Sequence, residues 1–225
     1  LEVWIATGDG DAMSIGGNHF IHVLRRNVGV KVLMFNNRIY GLTKGQYSPT
    51  SEVGKKTKST PFGSVDNPFH PLSLAIGAGA TFVARTVDIF MPHMKETLRR
   101  AAAHEGTAFV EIYQNCNIFN DGAFSYMTDK EVRDDQTLAI QHGEPLVYGA
   151  EGNRGIRLRG TDLESVELAG NVGPEDCLVW DENRHNPALS FLLAQMGPPD
   201  FPTPIGDFRA VESPAYDDAV VKQRE

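Results

Sequence analysis

Four short runs of apolar and β-branched residues recur along the first half of the chain, with helical segments between them. Runs of this kind, bounded by glycine or polar residues, predict buried strands. They are Val3–Thr7, Val30–Asn37, Thr81–Thr86 and Ala108–Tyr113. Because strands that alternate with helices form parallel sheets covered on both sides, the pattern predicts an α/β fold with a mostly parallel sheet and helices on both faces.

Three helices are predicted beside these strands. They run from about Ile15, after a capping Ser14, to Arg26, from Pro71 to Ala80, and from Met91 to Gly106. The segment from Tyr40 to Asn67 is polar and lacks periodicity, and loops of that length inside a compact domain are usually functional.

The character of the chain changes beyond about Ser125, where charges are mixed, β-like pieces are short and proline is frequent. We therefore assign residues 1–125 to a first domain and residues 126–225 to a C-terminal extension whose last ten or so residues are expected to be disordered. Because the first strand begins at once and without methionine, we expect the N-terminal part of the first domain to be missing. Such a loss would expose strand edges and apolar helix faces.

Composition excludes several classes of protein. The 225 residues, 41% of them hydrophobic, suffice for one substantial domain with an appendage. A net charge of −8 argues against a nucleic-acid partner. No apolar stretch is long enough to span a bilayer and no signal peptide is visible, so we expect a cytoplasmic protein without a membrane partner. The two cysteines, Cys116 and Cys177, cannot by themselves form a zinc or iron–sulfur site.

Acidic and amide side chains follow the first two predicted strands. Asp9 and Asp11 lie in the sequence GDGD after the first strand, and Asn37 follows the second strand, 28 positions beyond Asp9. Parallel strands joined by one helix place these ends side by side, and carboxylate and amide oxygens suit Mg²⁺. Gly8 and Gly10 allow close backbone approach near a helix start, where an anion is favoured. The pattern predicts a site for a metal-bridged diphosphate.

The sequence GDG followed by NN resembles the thiamine-diphosphate motif of thiamine-dependent enzymes. From about Leu1 to Gly122 the chain closely resembles the beta subunits of 2-oxoacid:ferredoxin oxidoreductases. The resemblance lies in the sequence GDGDAMSIGGNHFIHVLRRN and in FNNRIYGLTKGQYSPTS, which follows it. The later HGEPLVYG is similar to the beta chains of two-subunit 2-oxoglutarate oxidoreductases of actinobacterial type. The resemblance implies the thiamine-diphosphate-binding fold. It also implies oxidative decarboxylation of a 2-oxoacid with coenzyme A, with 2-oxoglutarate as the preferred substrate.

The resemblance also implies roles for particular residues. Magnesium is held by Asp9, Asn37 and the carbonyl of Ile39. The diphosphate meets the glycine turn and the segment after the second strand, which together comprise Gly8, Asp9, Gly10, Asp11, Tyr40, Gly41, Leu42 and Thr43. Lys44 is a candidate for holding the substrate carboxylate or coenzyme A. No acid–base residue is assigned, because the carboxylate that activates the coenzyme lies on another domain in this family.

Cys116, in the sequence NCNIFND, matches a family cysteine that ligates a [4Fe-4S] cluster. A cluster needs four ligands, and the other family cysteines lie upstream of the thiamine motif. The resemblance also implies an alpha or fused gamma–alpha subunit as partner, and ferredoxin as electron acceptor. The residues around Cys177 do not resemble the segment that carries a cluster ligand in this family.

Two other readings stay open. A non-oxidative or flavin-linked thiamine enzyme, such as a decarboxylase or an acetolactate synthase, shares GDG and NN but does not need Cys116 or the LTKGQ loop. A non-catalytic assembly subunit would carry a vestigial site, against which the intact Asp9 and Asn37 speak.

Overall fold

The computed structural model describes all residues from Leu1 to Glu225. Its main sheet has six strands. In the order in which they lie side by side these are β1 (Val3–Gly8), β2 (Val30–Asn36), β4 (Ala108–Tyr113), β3 (Phe82–Val87), β9 (Thr203–Ala210) and β5 (Thr137–Ile140). Strands β1 to β4 are mutually parallel, and β9 pairs antiparallel to β3. The four predicted strands and the mostly parallel α/β sheet are confirmed.

Eight α-helices surround the strands. They are α1 (Asp9–Met13), α2 (Gly17–Arg26), α3 (Pro71–Gly77), α4 (Met91–Ala103), α5 (Ser125–Thr128), α6 (Arg133–Gln136), α7 (Ala188–Ala194) and α8 (Tyr216–Lys222). A short 3₁₀ helix spans Pro174–Asp176. The segment between β2 and α3 contains neither helix nor strand, as its polar composition predicted.

Helices cover both faces of the main sheet. On one face the buried side chains of α1, α2, α3 and α7 pack against the sheet, and the ring of Phe20 meets that of Phe109 edge-on at 4.9 Å. On the other face α4 contributes Ala101 and Met94 to a cluster with Phe82 and Val110. Because β3 and β4 lie inside the sheet under both layers, every one of their residues is buried.

The first turn after β1 differs from the sequence prediction. Helix α1 begins directly at Asp9, and Ser14 is the residue at its end. Helix α2 is instead preceded by Gly16, with no side-chain cap. The prediction that Ser14 caps the helix is therefore wrong, because the chain already turns helical at the strand exit.

Strand β1 is not buried as predicted, because it forms the edge of the sheet. Val3, Trp4 and Ile5 are 42%, 39% and 42% exposed. Ile15, which follows α1, is also exposed. An edge strand with exposed apolar side chains, together with the exposed Ile15 in the turn after α1, is an unpartnered apolar surface.

The C-terminal part of the chain adds to the main sheet and forms a second one. Strands β5 and β9 extend the main sheet beyond β3. The second sheet is antiparallel and consists of β6 (Val147–Tyr148), β7 (Arg154–Arg159) and β8 (Asp162–Glu167). The last ten residues, for which we expect disorder, include helix α8 (Tyr216–Lys222). The Asp217 carboxylate accepts hydrogen bonds from the amide of Gly29, which docks α8 beside the start of β2.

Candidate functional site

The ends of β1 and β2 meet as the sequence predicted. The two strands are parallel, with Gly8 opposite Phe35, so the residues that follow them lie together. The amide of Asn37 donates to Asp9 Oδ1 at 3.3 Å. Asp9 is also the first residue of α1, so the following amides of Gly10 and Asp11 lie in the first turn of a helix. The strand ends therefore place a carboxylate, an amide side chain and unpaired backbone donors in one place.

Asp9 is a buried carboxylate, 1% exposed. The hydroxyls of Ser48 and Thr50 donate to its Oδ2 at 2.5 and 2.6 Å. Burial raises the pKa of Asp9, and the hydrogen bonds from Ser48 and Thr50 oppose that rise. No lysine, arginine or histidine nitrogen lies within 4.0 Å of Asp9. A buried, hydrogen-bonded carboxylate without a cation leaves negative charge that a metal ion can compensate.

The backbone after β2 leaves one carbonyl free. The carbonyl of Asn36 accepts from the amide of Gln114, that of Asn37 from the side chain of Asn120, and that of Arg38 from Ser51 Oγ. The carbonyl of Ile39 accepts no hydrogen bond, although Ile39 is buried. Buried carbonyls are rarely left unpaired.

The side chain of Asn37 is held in a defined orientation. Its Nδ2 donates to Gln114 Oε1 at 3.1 Å, and its Oδ1 accepts from the amide of Ile39 at 3.3 Å with one lone pair left over. Asp9, Asn37 and the carbonyl of Ile39 thus offer three oxygens, the ligand type that Mg²⁺ requires. The donor set fits the metal.

A neighbouring ring approaches Gly10 closely. A Cβ atom at Gly10 would lie 2.3 Å from Tyr40 Cε1, and the Tyr40 hydroxyl donates to the carbonyl of Gly10 at 2.7 Å. At Gly8, in contrast, a Cβ would meet nothing within 4 Å. The Tyr40 ring therefore lies against Gly10 and ties the turn after β1 to the segment after β2.

The segment after Tyr40 forms a tight exposed turn. The Tyr40 and Gln46 backbones form a bridge, and the amide of Lys44 donates to the carbonyl of Gly41 at 3.0 Å. Thr43 Oγ1 donates to the carbonyl of Tyr40, and Leu42 is 97% exposed. Lys44 adopts a φ of +67°, and its ammonium has no partner in the chain.

A cleft opens between this turn and α1. It has a volume of about 670 Å³, and Met13, Ser14, Tyr40 and Ser48 are among the residues that line it. Ser48 lines the cleft and also donates to Asp9, so one residue connects the cleft with the buried carboxylate. Asp11 is exposed on α1 nearby.

Cys116 lies in a turn that contacts the same site. The amide of Asn120 donates to the carbonyl of Cys116 at 2.9 Å, and the side chain of Asn120 donates to the carbonyl of Asn37. No other cysteine shares this turn, and the chain contains no group of three histidine, cysteine or acidic residues that could hold a metal ion. A single thiolate does not by itself hold a four-ligand cluster, so the described residues do not complete such a site.

Sequence reasoning missed four residues that shape the site. Ser48 and Thr50 contact Asp9, and Gln114 and Asn120 contact Asn37. The hydroxyl-rich run SPTS signals local turns, but its contact with Asp9 depends on the path of the loop. Gln114 could have been predicted from the sequence more readily, because it follows β4, which pairs with β2, and so lies beside the residues that follow β2.

Residues 1–112 match the family described as thiamine pyrophosphate enzyme, C-terminal TPP binding domain. Thiamine pyrophosphate is another name for thiamine diphosphate, so the fold and the strand-end site define a thiamine-diphosphate-binding domain. The 2-oxoglutarate oxidoreductase subunit KorB of Mycobacterium tuberculosis is 52% identical over 99% of this chain. The 2-oxoacid:ferredoxin oxidoreductase subunit beta of Saccharolobus solfataricus is 44% identical over 59% of this chain. The chain belongs to the family of 2-oxoacid:ferredoxin oxidoreductase beta subunits.

A solved structure agrees with this assignment. The 2-oxoglutarate:ferredoxin oxidoreductase from Magnetococcus marinus, with 2-oxoglutarate, coenzyme A and succinyl-CoA bound, superimposes with a TM-score of 0.71 at 29% identity. The match covers 100% of this chain and 62% of that chain. The present chain spans 60% of the mycobacterial subunit and 43% of the Saccharolobus subunit. No helix in the structure has the length and apolar character needed to cross a membrane.

Proposed function

We propose that this chain holds the diphosphate end of thiamine diphosphate in a 2-oxoglutarate:ferredoxin oxidoreductase. The reaction is the oxidative decarboxylation of 2-oxoglutarate with coenzyme A, which yields succinyl-CoA, CO₂, a proton and two electrons for ferredoxin. The observation that carries this proposal is the buried, cation-free Asp9 beside Asn37, in a chain 52% identical to a 2-oxoglutarate oxidoreductase subunit.

Asp9, Asn37 and the carbonyl of Ile39 would hold Mg²⁺, which would supply positive charge to offset that of the diphosphate. The three oxygens support this role because one is an uncompensated carboxylate and another is a carbonyl without a donor. The amides of Gly10 and Asp11, in the first turn of α1, would meet phosphate oxygens. Gly41, Leu42 and Thr43 would contact the coenzyme from the other side of the cleft. Bound thiamine diphosphate supplies the electron sink for decarboxylation.

Lys44 would provide a positive charge for the substrate carboxylate or for coenzyme A. Its ammonium is exposed and unpaired, and its turn borders the cleft, so an anion can reach it without displacing another carboxylate. Because an ammonium is a compact point charge, it can serve either group. We assign no acid–base residue to this chain and propose that an alpha or fused gamma–alpha subunit supplies one.

We further propose that Cys116 gives one of the four thiolates of a [4Fe-4S] cluster in the assembled enzyme. The turn that holds Cys116 is bonded through Asn120 to the backbone of Asn37, which supports a role next to the coenzyme site. The other three ligands would come from outside the chain described here. A decarboxylase or acetolactate synthase needs no such cysteine, so Cys116 separates the oxidative reading from that alternative.

The test uses the complete beta subunit assembled with its alpha partner. Reduction of a low-potential viologen dye is measured with coenzyme A and either 2-oxoglutarate or pyruvate, for wild type, Cys116→Ser and the control Cys177→Ser. The control replaces a cysteine that lies against the second sheet, where a Cβ at Gly155 would meet its sulfur. The proposal predicts faster reduction with 2-oxoglutarate.

The proposal also predicts that Cys116→Ser loses both viologen reduction and iron–sulfur absorbance, and that Cys177→Ser retains both. Acceptor-independent decarboxylation that Cys116→Ser leaves unchanged would assign the protein to the non-oxidative thiamine enzymes. Tight magnesium-dependent binding of thiamine diphosphate would exclude a vestigial, non-catalytic subunit.

A further inference from the structure

The turn between two of the proposed magnesium ligands depends on the backbone conformation of Arg38. Arg38 has a φ of +56°, which lies in the left-handed region. A residue with a Cβ atom enters this region only at an energetic cost, whereas glycine enters it freely. Arginine therefore occupies a position at which the backbone favours glycine, and something in the structure must compensate that cost.

The left-handed conformation of Arg38 sets the direction of the groups beside it. The amide of Ile39 donates across Arg38 to Asn37 Oδ1 at 3.3 Å, which orients the side-chain oxygen of Asn37. Rotation of Arg38 to a negative φ would turn the peptide that follows and carry this amide away from Asn37. The conformation of Arg38 therefore determines where Asn37 Oδ1 and the carbonyl of Ile39 lie.

The side chain of Arg38 lies against two stacked aromatic rings. Its Cζ atom is 4.6 Å from the centre of the Phe124 ring and 5.8 Å from that of the Tyr113 ring. The two ring centres are 4.3 Å apart, and the planes of the rings differ by 17°. Phe124 and Tyr113 are both buried. Because a guanidinium is attracted to aromatic faces, this contact favours the one backbone conformation that allows it.

The two rings are anchored in the middle of the main sheet. Tyr113 is the last residue of β4, and the Cζ atom of Arg85 on β3 lies 4.9 Å from the centre of its ring. Arg85 is itself fixed, because its Nε donates to Glu111 on β4 at 2.7 Å. The surface that Arg38 contacts is therefore tied to two buried central strands.

The side chain of Arg38 faces away from the cleft. It lines a separate cavity of about 150 Å³ at the ends of β2, β3 and β4 and is absent from the lining of the cleft beside Tyr40. Glu52 and Glu111 line the same cavity as Arg38 and Arg85, so the charges there balance. Arg38 can therefore act on the proposed coenzyme site through its backbone and not through its charge.

We propose that Arg38 is a positioning residue, whose contact with Phe124 holds the backbone between Asn37 and Ile39 in the left-handed conformation that presents both magnesium ligands. The inference rests on the role in Mg²⁺ binding proposed for Asn37 and Ile39. It has a specific consequence. Alanine at position 38 loses the aromatic contact and keeps the cost of a left-handed Cβ, whereas glycine loses both.

The test is calorimetric titration of the assembled enzyme, freed of coenzyme, with thiamine diphosphate at a series of Mg²⁺ concentrations. Wild type is compared with Arg38→Ala, Arg38→Gly and Arg38→Lys, the last of which keeps the charge but not the planar group. Arg159→Ala is the control for loss of an arginine, because the side chain of Arg159 is 80% exposed on β7. Thermal unfolding and the rate of viologen reduction at saturating Mg²⁺ are recorded for each variant.

We expect the Mg²⁺ concentration at half-saturation to rise at least tenfold in Arg38→Ala and severalfold in Arg38→Lys. It should stay close to the wild-type value in Arg38→Gly and in Arg159→Ala. The rate at saturating Mg²⁺ should change little in any variant, because Arg38 does not line the cleft. Glycine ordinarily destabilises a structure more than alanine does, so a merely structural role predicts the opposite order.

A defect in Arg38→Gly as large as that in Arg38→Ala overturns the proposal, and so does a wild-type Mg²⁺ requirement in Arg38→Ala. If Arg38→Ala does not fold, the comparison of the other two variants decides, because a role for the charge predicts that Arg38→Lys needs less Mg²⁺ than Arg38→Gly. Binding of thiamine diphosphate to wild type without Mg²⁺ overturns the proposed function together with this inference. Mg²⁺-dependent binding to wild type with the variants in the wrong order overturns this inference alone.

Discussion

Replacing Thr50 with valine tests whether the hydroxyls around Asp9 prepare it for a metal ion. Thr50→Val keeps the shape of the side chain and removes the hydrogen bond of 2.6 Å to Asp9 Oδ2. It also removes the bond of 3.0 Å to Asn36 Oδ1. Ser48 and the amide of Asn37 continue to donate to the carboxylate. The variant thus removes one of three donors and leaves the proposed magnesium ligands in place.

The expected magnitude follows from the charge on Asp9. A hydrogen bond to a charged group contributes about 1.5–3 kcal/mol, which corresponds to roughly a 10- to 100-fold change in an equilibrium constant. Loss of a group that orients a metal ligand has an effect of similar size, about 10- to 100-fold in metal affinity. We therefore expect the Mg²⁺ concentration at half-saturation to rise by about 10- to 100-fold.

The assay is a Mg²⁺ titration of the assembled enzyme at saturating thiamine diphosphate, followed by the rate of viologen reduction. Thermal unfolding is recorded in parallel, so that any loss of folded protein is counted separately. Thr57→Val is the matched control, since Thr57 lies in the same loop and its side chain bonds only to the hydroxyls of Ser59 and Thr60 and to the amide of Thr60. A Mg²⁺ requirement for Thr50→Val within twofold of wild type, in folded protein, would refute the reasoning.

Three further predictions concern other parts of the chain. Gly10→Ala should weaken thiamine diphosphate binding at least tenfold, because the added Cβ displaces the Tyr40 ring that borders the cleft. The free energy of unfolding should change little, since the ring is a flexible side chain. Unchanged binding of thiamine diphosphate by calorimetry would contradict this prediction. Gln114→Leu should raise the Mg²⁺ requirement several-fold, because it removes the side-chain oxygen that accepts from Asn37 Nδ2 and so orients Asn37, whereas Gln195→Leu should not. Burial raises the pKa of Asp207 to about 7, although the positive charge of Arg100 opposes the rise. Between the ordinary pKa of 3.8 and about pH 7, Asp207 is therefore protonated in the folded state and ionised in the unfolded chain. The free energy of unfolding should therefore fall by about 1 kcal/mol between roughly pH 6 and pH 8, and chemical denaturation of Asp207→Asn should show a smaller fall.

The alternation of apolar runs with amphipathic segments was enough to predict the parallel part of the sheet. Strands β3 and β4 are predominantly apolar and are buried on both faces, which is the pattern of strands that lie between helix layers. Strand β1 has a similar composition but lies at the edge, and composition alone does not give the position of a strand within a sheet.

Strand β9 could not be predicted in the same way. Its residues Pro204 and Gly206 have low strand propensity, and Gly206 adopts a φ of +123° next to a register shift opposite Val83 and Ala84. The strand forms because β3 and β5 offer partners on both sides. Such pairing between distant segments leaves no local signal.

The candidate site was predictable where it depends on strand ends and not where it depends on loops. Asp9 and Asn37 come together because parallel neighbouring strands end at the same edge of a sheet. Ser48 and Thr50 reach Asp9 only through the path of a long irregular segment. The pairing of Arg38 with Arg85 around Tyr113 likewise joins residues from three separate segments.

The most direct test of the central claim is calorimetric binding of thiamine diphosphate to the assembled enzyme, with and without Mg²⁺. Asp9→Asn is compared with Asp162→Asn, which changes an exposed aspartate on β8. The account predicts Mg²⁺-dependent binding in wild type and Asp162→Asn, and a loss of at least 100-fold in Asp9→Asn, because the amide cannot compensate the charge of the cation. Equal, Mg²⁺-dependent binding by Asp9→Asn and wild type would contradict it.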